Sequence, residues 1–268
     1  MSGRVLIVAG SDSGGGAGIQ ADIKTVTALG GYAMSAITAV TVQNTKKVSA
    51  VHEIPADIVA AQIIEVVRDL GADIVKIGML SSVSVIESVH NAFNEVGPRI
   101  PRVVDPVMRS KGGHVLLAAS AAKACAECLI KGAALVTPNL PEAEVLTGLK
   151  IKTLADMEAA VDDLRGLGAQ AVLLKGGHLE ENHLVDLLIT ADKVVRFEDQ
   201  RIDTRSTHGT GCTLASAIAV GLAAGQPLVE SVSRARSYVR KAIKTAPGLG
   251  QGHGPLNHGH TVMPFLHA

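Results

Sequence analysis

Residues 207–213 read Thr-His-Gly-Thr-Gly-Cys-Thr, and the apolar helical run Leu214–Ala224 follows at once. A Gly-Thr-Gly turn that opens a helix leaves backbone N–H groups unpaired at the positive end of the helix dipole. Gly209, Thr210 and Gly211 are therefore candidates for an anion cradle, with phosphate the leading ligand. Cys212 shares the turn, where a thiolate is stabilised and the thiol pKa is expected to fall. The competing reading is a Gly-rich helix start with a small buried Cys. The placement of the chain's other unusual residues bears on the choice.

Apolar runs with strand character occur at Val5–Ala9, Ala36–Val42, Ile74–Ile77, Val103–Val104, Leu135–Val136 and Val172–Leu174. Helical patterns separate most of them: Ile19–Leu29, Ile58–Leu70, Val83–Val96, Ala118–Ile130 and Leu154–Leu167. This alternation predicts right-handed crossovers and a mostly parallel sheet covered by helices on both faces. Leu184–Ile189 and Lys193–Phe197 read as an antiparallel edge hairpin. Helices at about 212–224 and 228–245 and a Gly/His-rich tail, Gly248–His260, close the chain. No linker or repeat divides the 268 residues, so residues 1–268 are read as one α/β domain.

Ligands of open α/β sheets bind beyond the carboxyl ends of the strands. The residues that follow the six strands are the chain's oddities: Gly10 to Gly18, Gln43-Asn44, Gly78-Met79, Asp105-Pro106, Thr137-Pro138-Asn139 with Glu142, and Lys175-Gly176-Gly177-His178. They share one crest, which points to one large site.

Each has an ordinary reading as well. The loop Gly14-Gly15-Gly16-Ala17-Gly18 fits neither the P-loop nor the dinucleotide spacing. It is a flexible turn, or a backbone cradle or lid hinge beside a ligand. Asn139-x-x-Glu142 is nearly a capping box; alternatively Glu142 faces Mg²⁺ or its waters. Asp105 is a turn residue or a ligand for a hard cation that keeps many waters. Lys175 snorkels or pairs with phosphate. Taken together, two carboxylates, one cation, an anion hole and Cys212 as base are the parts that phosphoryl transfer requires.

Composition removes other classes. Lys+Arg and Asp+Glu both number 25, so no global field draws nucleic acid or an anionic membrane. Arg234, Arg236, Arg240, Lys241 and Lys244 read as a solvated helix face. Val5–Ala9 is too short for a secretory core or a membrane span. Three cysteines favour a reducing compartment, the cytoplasm, and Cys125-x-x-Cys128 reads as core packing. His253, His258 and His260 are expected on the surface or in loops.

The ordered set Ala9 to Asp22, Val42-Gln43-Asn44-Thr45, Lys76-Ile77-Gly78-Met79, Asp105-Pro106-Val107-Met108, Thr137 to Ala143, Lys175 to His178, Thr207 to Cys212 and Gly254 to His258 closely resembles the hydroxymethylpyrimidine/phosphomethylpyrimidine kinases of thiamine biosynthesis. Singly each motif is weak; eight in order, over about residues 4–258, are specific. The resemblance implies a ribokinase-like fold, ATP with Mg²⁺, a homodimer, and phosphorylation first of the pyrimidine alcohol and then of its monophosphate. It places Gly10, Asp22, Gln43, Met79 and Val107 at the pyrimidine, and Asn139, Lys175, Gly209 and Gly211 at the nucleotide. Asp105 and Glu142 fall to the metal, and Gly209, Thr210, Gly211, Cys212 and Lys175 to the chemistry. Cys212 departs from the superfamily's usual Asp and narrows the match to pyrimidine kinases and related pyridoxal kinases. A pyridoxine/pyridoxal kinase is the alternative; Gln43-Asn44-Thr45 and the Gly254-to-His258 tail weigh against it. A thiol hydrolase using Cys212 with His208, and a non-catalytic pyrimidine sensor, fit the residues less well.

Overall fold

The computed structural model describes residues 3–108, 119–179 and 183–263. These residues contribute nine strands to one sheet: β1 (Arg4–Asp12), β2 (Tyr32–Gln43), β3 (Val48–Glu53), β4 (Ile74–Ile77), β5 (Arg102–Val104), β6 (Leu135–Val136), β7 (Ala171–Lys175), β8 (His183–Thr190) and β9 (Val194–Gln200). Their order is β3-β2-β1-β4-β5-β6-β7-β8-β9. The strands from β2 to β7 in that order pair in parallel, while β3 at one edge and the β8–β9 hairpin at the other are antiparallel.

The helices are α1 (Gly18–Ala28), α2 (Ala56–Asp69), α3 (Val83–Val96), α4 (Ala119–Cys125, continued by a π-helical turn Ala126–Ile130), α5 (Leu140–Thr147), α6 (Leu154–Ala159), α7 (Val161–Arg165), α8 (Thr210–Ala223) and α9 (Leu228–Lys244). Alternate side chains of the central strands enter opposite cores, as the pleat requires. Leu6, Val8, Val75 and Ile77 pack with α2 to α7, and Val5, Ile7, Ala9 and Ile74 pack with α1, α8 and α9. Lys76 occupies that second face of β4 and is fully buried. The chain passes from β1 to β2 on one side and later reaches β4 on the other, so the crevice at the switch point opens above β1 and β4.

The mostly parallel α/β architecture agrees with the sequence reading, with three local differences. Strand β3 is nearly all exposed and so carries no one-sided apolar alternation to betray it. The run Leu154–Leu167 is two short helices hinged at Ala160; Met157, Ala160 and Leu164 are buried on both sides of the break, so the apolar spacing runs straight through it. Helix α5 was visible only as its cap. Ala118, the first residue of the pattern expected at 118–130, lies outside the described residues.

Candidate active site

The first turn of α8 sets the centre. Gly209 caps it with φ 80°, the left-handed region, and no side chain bonds its amides. A Cβ on Gly209 would stand 1.9 Å from the carbonyl oxygen of Gly16, so only glycine lets this turn sit against the glycine loop. Gly209, Thr210, Gly211 and Cys212 line a cavity of about 720 Å³ along the carboxyl ends of the parallel strands.

At one end of that cavity lie Gly10, Gln43, Met79 and Val107. A Cβ on Gly10 would meet the Met79 sulfur at 3.0 Å, so the missing side chain makes room for the thioether. The Thr38 hydroxyl donates to the Met79 carbonyl at 2.8 Å and fixes that loop. The Gln43 side chain lies between the Thr41 hydroxyl, 3.2 Å away, and His208 Nε2, also 3.2 Å away.

Asp105, Asn139, Glu142 and Lys175 line the middle. Lys175 Nζ donates to Asp105 Oδ1 at 2.8 Å, and the Thr137 hydroxyl donates to the same oxygen at 2.9 Å. Burial opposes ionisation of Asp105, but Lys175, Lys76 and the Thr137 hydrogen bond prevail and hold the carboxyl below its ordinary value. Burial lifts Glu142 to about 7; Lys175 opposes this, and the Asp105 carboxylate adds to it. The two readings of Glu142 coincide. Its side chain accepts from Asn139 N and Asn139 accepts from Glu142 N, both at 2.9 Å, in a complete capping box that also faces the cavity.

Four expectations are corrected. Asp22, expected at the pyrimidine, is fully buried behind the cavity wall, where it accepts from Lys76 Nζ at 2.8 Å and from the Ser216 hydroxyl at 2.7 Å. The Cys212 thiol, expected below its free value, is pushed up to about 11. Burial is the main cause, opposed by Lys76 and a Gly18 backbone hydrogen bond and reinforced by Asp22 and Asp105. The glycine loop turns its tip amides inward. Asp12 already accepts from the amides of Gly14, Gly16 and Ala17, at 2.8, 3.1 and 2.8 Å. Arg236 does not belong to a solvated face; it is buried, pairs with Asp186 and Asp199, and lines the cavity. His258 is buried rather than peripheral, 3.0 Å from the Thr213 hydroxyl, with burial pressing its pKa down to about 4.

Sequence reasoning missed Asp12, His208 and Lys76. His208 Nε2 lies 2.8 Å from Asp12 Oδ2, joining the glycine loop to the lead-in of α8. The signal for Lys76 was present: a lysine within a four-residue strand otherwise made of Ile and Val. Cys125 is buried, as expected for core packing. No helix among the described residues is long and apolar enough to cross a membrane.

Residues 12–257 match the phosphomethylpyrimidine kinase family. The chain belongs to that family. It is 48% identical over 263 residues to a hydroxymethylpyrimidine/phosphomethylpyrimidine kinase of Rhizobium meliloti, covering 97% of this chain and 98% of that protein. It is 51% identical over 256 residues, 96% of its length, to the thiamine biosynthesis bifunctional protein ThiED of Geobacter sulfurreducens, of which it spans 52%. Among solved structures, a Staphylococcus aureus pyridoxal kinase in complex with AMP-PCP superposes with a TM-score of 0.87 at 35% identity, covering 96% of this chain and 93% of that one. The chain is accordingly a kinase that uses ATP, and Asp105, Glu142, Lys175 and the first turn of α8 line one cavity.

Proposed function

We propose that this kinase transfers phosphate from ATP to 4-amino-5-hydroxymethyl-2-methylpyrimidine and then to the resulting monophosphate, within thiamine biosynthesis. The observation that carries the reading is that the first turn of α8, with Cys212, lines one cavity together with Gln43, Met79, Asp105, Glu142 and Lys175. The identity of 48% to a kinase of that name, against 35% to the pyridoxal kinase, favours the pyrimidine over pyridoxal.

The acceptor oxygen forms a bond to the γ-phosphorus as the bond to the β,γ-bridging oxygen breaks, and ADP departs with that electron pair. The amides of the α8 turn face the transferring group, and Lys175 offers its charge to the phosphates. Cys212, in its ionised fraction, takes the alcohol proton. Gln43 offers an amide that donates and accepts, matching an aminopyrimidine edge, while Met79 and Val107 supply apolar contact.

Asp105 and Glu142 suit a magnesium ion. Two mutually repelling carboxylates fit a hard cation whose other positions go to water and phosphate, and no set of three or more metal-binding side chains competes among the described residues. Such an ion, when bound, neutralises charge on the phosphate oxygens. Free Cys125, Cys128 and Cys212 support a cytoplasmic setting. The homodimer implied by the family resemblance belongs to the same proposal and is measured by sedimentation. Incubation with ATP and the pyrimidine alcohol, followed by mass spectrometry, should yield the monophosphate and then the diphosphate. A product that stops at one phosphate contradicts the second step.

A further inference from the structure

Lys76 and Asp22 are both fully buried, and the ammonium lies 2.8 Å from the carboxylate. Asp22 is on α1, Lys76 on β4 and Ser216 on α8, so one polar cluster joins three elements beneath the catalytic turn. The space around the ammonium is built for it. A Cβ on Gly78 would come within 2.8 Å of Lys76 Nζ, so a side chain there would collide with the ammonium. Lys76 also lines the cavity, as do Cys212 and Asp105.

A buried ion pair at best breaks even against well-packed apolar side chains, so stability does not account for this one. Its position does. Negative charge accumulates at the α8 turn when phosphates and an ionised Cys212 are present, and a fixed, fully buried cation acts strongly there.

We infer that Lys76 is a positioning residue for phosphoryl transfer, a buried cation that holds Cys212 and the α8 turn ready for negative charge without touching either substrate. This rests on the kinase reading above. Asp22 and Ser216 keep the ammonium in place, and electrostatic attraction from Cys212 and Asp105 helps to keep it protonated. No covalent change occurs at Lys76.

The alternative is that the pair only ties α1, β4 and α8 together. Lys76→Met alone strands a buried carboxylate and is expected to lower Tm. Lys76→Met combined with Asp22→Asn removes both charges and should regain most of that Tm. In both variants kcat should fall about 10²–10³-fold, the size of effect seen when one preorganised stabilising group is lost, with KM for ATP and for the pyrimidine within about threefold. Independently of turnover, iodoacetamide should alkylate Cys212 about tenfold more slowly in Lys76→Met at fixed pH, because the cation favouring thiolate is gone while the opposing Asp22 carboxylate remains. Mass mapping separates Cys212 from Cys125 and Cys128. A double variant that regains kcat together with Tm, or a Lys76→Met variant that leaves Cys212 alkylation unchanged, overturns the inference. Wild-type turnover of the pyrimidine, run alongside, tests the kinase reading itself; if that fails, the alkylation arm still reports on Lys76.

Discussion

Lys175 Nζ lies 2.8 Å from Asp105 Oδ1, and a Cβ on Gly211 would stand 3.3 Å from Lys175 Nζ and 3.3 Å from Asp105 Oδ2. The ion pair is thus seated against the first turn of α8, where any side chain at position 211 would crowd it. The Lys175 ammonium, the Asp105 carboxylate and the first turn of α8 are held within one contact distance. Glu142, lifted to about 7 by burial and the nearby Asp105, completes the group.

The metal prediction follows from that arrangement. Glu142 must lose its proton to hold a cation, so the Mg²⁺ concentration for half-activity should fall as pH rises from 6 to 8. Its raised pKa also means that apo stability attributable to this group declines as pH climbs from the unfolded value of 4.5 through about 7. Glu142→Gln can keep the hydrogen bond to Asn139 N while removing the charge. It should raise the Mg²⁺ requirement, abolish its pH dependence and leave Tm nearly unchanged. A variant that loses Tm but keeps its Mg²⁺ response assigns Glu142 to capping alone.

Cys212 is mostly a thiol near neutral pH, since its pKa is pushed up to about 11. If its ionised fraction is the base, kcat should rise with pH by about tenfold per unit between 7 and 9. Cys212→Ala should lose about 10²–10⁴-fold in kcat, with ATP binding retained by the backbone amides. Cys212→Asp, ionised at lower pH, should recover part of the rate and flatten the profile. A flat wild-type profile, or an alanine variant with more than about a third of the wild-type rate, removes the thiol from the proton path.

The sheet, its antiparallel hairpin and the crest of unusual residues were legible because strand and helix periodicities differ and because ligands gather at strand ends. What stayed hidden was partnership across long sequence distances. Asp12 and His208 are 196 positions apart, and nothing in either segment announces that one carboxylate serves both the glycine loop and that imidazole. The helix start alone argued for an acidic Cys212; the burial and the two neighbouring carboxylates that reverse the shift come from α1 and β5. Asp22 sits in the right motif but points into the protein, a direction that a one-dimensional match does not carry.

Under the proposed function, Gln43 reads the heterocycle. An aminopyrimidine edge satisfies both ends of its amide, and losing those bonds costs about 1–3 kcal/mol. Gln43→Leu should therefore raise KM for the pyrimidine alcohol about tenfold or more and change pyridoxal turnover little. Equal losses on both substrates would place Gln43 in a structural role beside Thr41 and His208.

The central claim is that this cavity phosphorylates the pyrimidine at both stages and prefers it to pyridoxal. Coupled ADP release, compared for hydroxymethylpyrimidine, its monophosphate and pyridoxal at equal enzyme and saturating Mg²⁺, tests it most directly. The account predicts turnover with both pyrimidines and a kcat/KM for the pyrimidine alcohol at least tenfold above that for pyridoxal, the scale set by one well-matched polar contact. A higher kcat/KM for pyridoxal, or no ADP release with the pyrimidine monophosphate, would contradict it.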